Sequence, residues 1–266
     1  MSKTMTDDEL HQHLCLAKDY LDEYLAELEH GSPDQKKRAQ LLGYWVGDYI
    51  NFLRKETTFD PKKLIRYKRG SIVKAHLGYR IGSEEGGLHY AIVIDNNNAL
   101  SSSAVTVIPL TSIKPNTDLS KLHFSKINLG DEIYKLLEEK LSSSIPQIKA
   151  RTVAIGQQIS DVMSKVPAPG SPEYNSWLSE YRVIITEATI QIEKMNAELD
   201  SLDKVKEELQ RMKAGSIALV GQITTISKIR IYDPLYPSDV FTNVRVSPES
   251  MDKIDNKITA LYTKKT

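Results

Sequence analysis

The sequence predicts an α+β protein, in which a small β domain follows one helical hairpin and is interrupted by a longer one. Apolar residues follow helical spacing before residue 60, strand spacing from about 65 to 128 and helical spacing again to about 212. Strand patterns then resume at Gly215, and a last helical pattern, 247–262, has an early cap and apolar spacing. This order of patterns predicts a hairpin at 1–60, a β domain built from 61–130 and 214–266, and an inserted arm at 131–213.

The first hairpin is predicted from its helix-start signals. Thr6 and Glu9 have the spacing of a capping box, in which each side chain accepts a hydrogen bond from the other residue's backbone amide. Ser32 and Pro33 suit the N-cap and the first turn of a second helix. We therefore expect two helices within 6–56.

Four short strands are predicted after the hairpin, separated mainly by loops rich in Gly, Asn and Ser. So few strands bury a core poorly by themselves. The strands after Gly215 are therefore expected to complete the same small sheet or barrel, with the two ends of the arm close together at its base. The predicted strands before the arm are 71–77, 90–95, 104–110 and 122–127.

The inserted arm is predicted from apolar residues that alternate steps of three and four. Two such runs flank a Pro- and Gly-containing turn at 167–172, and Pro146 is expected to kink the first helix or to begin a new one. A narrow stripe of this period favours an antiparallel coiled coil that protrudes from the β domain. The alternative is a pair of core helices in an ordinary bundle.

Composition limits the function classes. The 35 basic and 35 acidic side chains give no net charge, so nucleic-acid binding would need a local patch. The segment 61–80 is basic without one acidic residue, which fits either a phosphate-binding surface or a solvated strand edge protected by lysines. No apolar run is long enough for a membrane span, and the single cysteine forms no internal disulfide, so we expect a cytoplasmic protein. Cys15, flanked by leucines, is expected to be buried.

The candidate chemistry lies between 82 and 112. The loop 82–87 carries Ser83 and Glu84 but lacks the lysine and the strand–loop–helix context of a nucleotide-binding P-loop. His89 follows this loop and could act as an acid, a base or a phosphate ligand, although a lone histidine at a strand start is more often structural. Thr111 ends a strand and could bond a phosphate or cap a turn. The other histidines are scattered, so no metal site is expected.

Several of these segments together resemble the PemK/MazF family of toxins. They are RGSIV at 69–73, GSEEGG at 82–87, AIVI at 91–94, VIPLTS at 107–112 and, after the arm, GSIALVGQITTISK at 215–228. The similarity covers about 66–128 and 214–263. It implies an SH3-like barrel, usually a homodimer, that cleaves single-stranded RNA without a metal or other cofactor. It also implies a partner antitoxin. The expected products carry a 2′,3′-cyclic phosphate and a 5′-hydroxyl.

The resemblance also implies roles for individual residues. The family's loop falls on Ser83 and Glu84, its strand-end hydroxyl on Thr111 and its later glutamine on Gln222. Its catalytic arginine falls on His89, which carries charge only when it is protonated but can transfer protons. The acidic residue that some relatives carry before the glutamine is replaced by Gly221.

These correspondences predict a different role for each group of residues. His89 and Thr111 are predicted to act on the phosphate, with Ser83 and Glu84 contacting the bases. The RNA backbone would be held by Arg69, Lys74 and Arg80.

Two other functions are compatible with the sequence. The altered arginine position is compatible with a fold that has lost catalysis and acts through protein partners, as a related toxin fold poisons DNA gyrase by binding alone. The helices before residue 60 could also cover the RNA groove in cis, as an antitoxin would.

Overall fold

The computed structural model describes residues 4–212 and 215–264. The chain divides into two compact units: the residues up to Phe59 together with Leu77–Gly87, and Asp60–His76 together with the residues from Leu88 onward. We call these the first unit and the second unit.

The first unit contains the predicted helical hairpin. Helices α1 (Asp7–Glu29) and α2 (Pro33–Glu56) pack against each other, and each begins with a complete capping box. The predicted box of Thr6 and Glu9 is therefore confirmed. The prediction for Cys15 is wrong, because its side chain is exposed on α1. A helix in a two-helix layer buries only one narrow stripe, so apolar neighbours in sequence do not guarantee burial.

The second unit is built on one antiparallel sheet. Its strands follow the order β4-β5-β3-β2-β1-β7, with β6 paired to β3. Strands from before and after the arm thus join one sheet, as predicted. The strand pairings run in one open series from β4 to β7, so the closed barrel is not confirmed. The strands are β1 (Ile72–His76), β2 (Leu88–Val93), β3 (Ala104–Ser112), β4 (Lys126–Gly130), β5 (Ser216–Leu219), β6 (Thr224–Ser227) and β7 (Ile231–Asp233).

The predicted strand at 122–127 is displaced along the chain. A short 3-10 helix, Leu119–Lys121, precedes this region, and β4 begins only at Lys126 and continues to Gly130. The change from strand spacing to helical spacing was therefore predicted slightly too early in the sequence.

The main hydrophobic core lies between one face of the sheet and three helices, α3 (Glu132–Met163), α4 (Pro172–Arg211) and α5 (Pro248–Tyr262). Residues on the other face of the central strands, such as Val73 and Ala91, are also fully buried. The first half of β2, Leu88–Tyr90, is less buried and lines the cleft described below. The core includes Ile72, Ile92, Ile108 and Leu110 from the sheet, and Ile133, Leu137, Val205 and Ile254 from the helices.

The arm consists of α3 and α4, which pack along each other in opposite directions. Arg151 forms an ion pair with Glu198, and the Trp177 indole donates to the Val162 carbonyl at 2.9 Å. Pro146 lies within α3 without ending it. Buried positions recur every seventh residue, as the sequence period predicts. They are Ile148, Ile155 and Val162 on α3, and Ala188, Met195 and Leu202 on α4.

Among the residues described, no helix is long and apolar enough to cross a membrane.

Candidate functional site

A cleft of about 330 Å³ opens beside the start of β2 and the end of β3. The β2–β3 register pairs Ala91 with Pro109. His89 lies two residues before Ala91 in β2 and Thr111 lies two residues after Pro109 in β3, and both line the cleft. The two predicted catalytic residues therefore line the same cleft. The described lining is Lys74, Leu88, His89, Tyr90, Leu110, Thr111, Ser112, Lys114, Arg211, Met212 and Ser216.

His89 is oriented by the neighbouring strand. Its Nδ1 lies 3.2 Å from the carbonyl oxygen of Leu110. A carbonyl only accepts hydrogen bonds, so Nδ1 is assigned as the donor. In the neutral ring the unshared electron pair then belongs to Nε2, the nitrogen through which this imidazole can accept a proton.

Besides the histidine, the cleft involves a cluster of three polar residues, Lys74, Tyr90 and Glu208. Lys74 and Tyr90 are partners in the β1–β2 register, and the Lys74 Nζ lies 5.6 Å from the Tyr90 ring centroid. The ammonium donates to Glu208 Oε1 at 2.7 Å, and the Tyr90 hydroxyl donates to the same oxygen. Glu208 belongs to α4 and is only 7% exposed. The arm thus contributes a buried carboxylate that binds two residues of the cleft lining.

Opposing effects set the ionisation of this cluster. Burial would raise the pKa of Glu208, but hydrogen bonds from Lys74 and Tyr90, with the charges of Lys74 and Arg211, hold that pKa below its ordinary value. Burial and the bond to Glu208 raise the pKa of Tyr90. The tyrosine therefore stays a neutral donor and the glutamate stays an anion at neutral pH.

The cleft has three cationic side chains in its lining. Lys74, Lys114 and Arg211 line it, together with the hydroxyl groups of Thr111, Ser112 and Ser216, and none of the described lining residues is acidic. This combination of permanent cations and hydroxyl donors suits a phosphate. In the described part of the chain, no group of three or more His, Cys, Asp or Glu side chains is placed to hold a metal ion.

Three predicted site residues lie in the first unit, in the segment Leu77–Gly87. Arg80 and Ser83 are exposed there. Glu84 accepts a hydrogen bond from the Ile81 amide at 3.1 Å, so its carboxylate shapes the turn. Contact of Ser83 and Glu84 with RNA bases stays a prediction.

Two further predicted residues lie in the second unit but do not line the cleft. Arg69 donates to the Ile94 carbonyl and forms an ion pair with Asp255, so its guanidinium joins the sheet to α5. Gln222 ends the 3-10 segment Val220–Gln222. Their roles toward RNA also stay predictions.

Sequence reasoning missed Tyr90, Lys114, Glu208 and Arg211. The seven-residue apolar spacing identifies only the face of α4 that packs against α3. A second stripe, Ser201, Val205 and Glu208, has the i, i+4, i+7 spacing of a helix face and is also buried. A polar residue ending this stripe was the available signal for Glu208.

Comparison with known proteins supports the resemblance stated above. Residues 68–163 match the family model described as PemK-like, MazF-like toxin of type II toxin-antitoxin system. The match contains His89 and Thr111 and continues beyond 128 through α3, so it enters the arm. A search of curated proteins found no match to the chain. The predicted family resemblance is confirmed for the matched segment.

Proposed function

We propose that this protein is a toxin of a toxin–antitoxin system and that it cleaves single-stranded RNA without a metal at the cleft of His89 and Thr111. The toxin-family match over 68–163 supports the class of protein. The observation that carries the proposal is that His89 and Thr111 line one cleft together with Lys74, Lys114 and Arg211.

The proposed reaction is an internal transfer within the RNA. His89 Nε2 takes the proton from a 2′-hydroxyl, and the 2′ oxygen forms a bond to the adjacent phosphorus. The bond from phosphorus to the 5′ oxygen breaks, and that oxygen takes a proton from a water molecule, to which the His89 imidazolium returns the proton that it took. The products are a 2′,3′-cyclic phosphate and a 5′-hydroxyl. Thr111 donates a hydrogen bond to a nonbridging phosphate oxygen as negative charge grows on it.

The cleft also offers a substitute for the family's catalytic arginine. A neutral histidine that acts as a base supplies no positive charge to the phosphate. Lys114 and Arg211 line the cleft, carry permanent charge and can take over this electrostatic role. In this proposal the histidine moves the proton and the neighbouring cations stabilise the transition state.

The remaining parts of the proposal concern architecture and partners. We take the sheet as an SH3-like barrel that works as a homodimer in the cytoplasm, the insertion at 131–213 as a coiled-coil arm, and 1–60 as an added hairpin. An antitoxin protein would neutralise the cleft. Bases and backbone of the RNA would be contacted by Ser83, Glu84, Arg69, Arg80 and Gln222.

The direct test is cleavage of a single-stranded RNA by the purified protein in EDTA. The wild type is expected to cut it, and His89→Ala is expected to lose that activity. His123→Ala is the matched control, because His123 is exposed and does not line the cleft. Equal activity of the wild type and His89→Ala would remove His89 from the mechanism. Absence of cleavage by the wild type would instead favour a binding module that acts through protein partners.

A further inference from the structure

We infer that Glu208 of the inserted arm is a positioning residue, which holds the Lys74 ammonium in place for the RNA phosphate. This inference rests on the proposed function, because it concerns the same cleft. It makes the arm a part of the active site and not only an appendage.

The contacts of Lys74 allow it to bind Glu208 and an RNA phosphate at the same time. The Lys74 Nζ lies 2.7 Å from Glu208 Oε1, and its side chain remains 24% exposed at the cleft. An ammonium group has three N–H donors. One bond to the carboxylate therefore leaves donors for a phosphate oxygen while fixing the direction of the flexible lysine stem.

Tyr90 fixes the other partner of this ion pair. Its hydroxyl donates to the same oxygen of Glu208, and its ring packs against Phe241 with centroids 5.3 Å apart. The carboxylate is thus held by a side chain that is itself anchored in the core. A lysine held through such a chain of contacts is preorganised for charge stabilisation.

The last turn of α4 also supplies a cation to the cleft. Arg211 lies three residues after Glu208, slightly less than one helical turn further along, and it lines the cleft. The end of α4 therefore contributes a carboxylate that binds Lys74 and Tyr90 and a guanidinium that lines the cleft.

The alternative is that Glu208 only compensates a buried charge and has no effect on the position of Lys74 during the reaction. Glu208→Gln separates the two possibilities, since it keeps the shape of the side chain and removes its charge. Glu198→Gln is the matched control: the same change on the same helix, at a residue that is paired with the exposed Arg151 of α3.

The first measurement needs no RNA. Lys74 is labelled with a limiting amount of acetic anhydride in the full-length protein, and mass spectrometry gives its rate of modification. We expect the rate to rise about 10-fold in Glu208→Gln, because the Lys74 ammonium loses the carboxylate that holds it 2.7 Å away. The rate is expected to stay unchanged in Glu198→Gln. An unchanged rate in Glu208→Gln would overturn the inference even if the protein proves to cut no RNA.

The second measurement uses RNA cleavage. We expect Glu208→Gln to lower kcat about 10- to 100-fold with little change in KM, the cost expected when a reacting group moves by about 1 Å. In a Lys74→Met background the same substitution should have no further effect, because its partner is already gone. A normal kcat in Glu208→Gln, or additive losses in the double variant, would overturn the inference. A wild type that cuts nothing would refute the proposed function, while the labelling experiment would still decide whether Glu208 holds Lys74.

Discussion

Gly130 of β4 and Ser216 of β5 are partners in the sheet, although the whole inserted arm lies between them in sequence. The helix α3 begins at Glu132, and α4 ends at Arg211, close to this pair along the chain. Both ends of the arm are therefore fixed to one place in the sheet. A long insertion fixed in this way costs the sheet little, because the strands on either side still pair with each other.

A half-buried lysine fixes the base of the arm a second time. Lys140 of α3 donates to the carbonyl oxygens of Asp239, Val240 and Thr242 at 2.9, 2.7 and 3.1 Å. Lys140→Met would leave these acceptors without their donor, so we expect the free energy of unfolding to fall by about 1–3 kcal/mol. Urea denaturation measures this change. The control Lys149→Met, at an exposed position of the same helix, should stay within about 0.5 kcal/mol of the wild type.

The hydroxyl of Thr111 is expected to matter for catalysis more than for binding. Thr111→Val keeps the shape of the side chain and removes the donor that we assign to the phosphate. We expect kcat for RNA cleavage to fall about 100-fold, the typical loss for one such donor. Thr106→Val serves as the control, because the Thr106 hydroxyl pairs with Thr225 at 3.2 Å outside the cleft. Equal kinetics of the two variants would argue against this role for Thr111.

The buried Glu208 should make part of the stability depend on acid pH. The pKa of Glu208 is held below its ordinary value of 4.5 in the folded protein. Its ionised form therefore stabilises the fold fully above pH 4.5, and this contribution is lost as pH falls through the lower, folded-state pKa. The difference in unfolding free energy between the wild type and Glu208→Gln should shrink as pH falls below 4.5. A difference that stays constant from pH 7 to pH 3 would contradict this assignment.

The loop that carries Ser83 and Glu84 depends on a close backbone approach at Gly86. A Cβ at this position would lie 2.8 Å from the Arg80 amide nitrogen and 2.9 Å from the Gly78 carbonyl oxygen. Since these are backbone atoms, Gly86→Ala is expected to displace the loop and to destabilise the protein by about 1–3 kcal/mol.

Gly43→Ala gives the opposite expectation within the same unit. Gly43 lies in α2, and a Cβ there meets nothing within 4 Å. Alanine favours the helix, so we expect stability to rise by up to about 1 kcal/mol. Thermal unfolding of Gly86→Ala and Gly43→Ala compares the two changes in stability. A similar loss in both variants would show that the loop does not need its glycine.

The sequence was most informative where structure is set locally. The capping box of Thr6 and Glu9 and the seven-residue spacing of Ile148 and Ile155 depend on near neighbours, so they could be recognised directly. The cleft was only partly predictable. His89 and Thr111 were singled out by their positions at the ends of predicted strands, and the family resemblance gave them roles at the phosphate. Their common cleft depends on strand pairing, which neither segment shows by itself.

The cluster around Glu208 shows why the remainder of the site was missed. Lys74, Tyr90 and Glu208 are far apart in sequence, and each by itself resembles an ordinary surface, core or helix residue. Only the packing of α4 on the sheet turns them into a network. The exposed Cys15 illustrates the opposite error, in which a local pattern was given a burial that the fold does not provide.

The most direct test of the central claim is to map the ends of the RNA fragments that the wild type and His89→Ala produce in EDTA from one defined single-stranded RNA. The account predicts 2′,3′-cyclic phosphate and 5′-hydroxyl ends at discrete positions for the wild type and intact RNA for His89→Ala. Fragments with 3′-hydroxyl and 5′-phosphate ends, or the same fragments from both proteins, would contradict it.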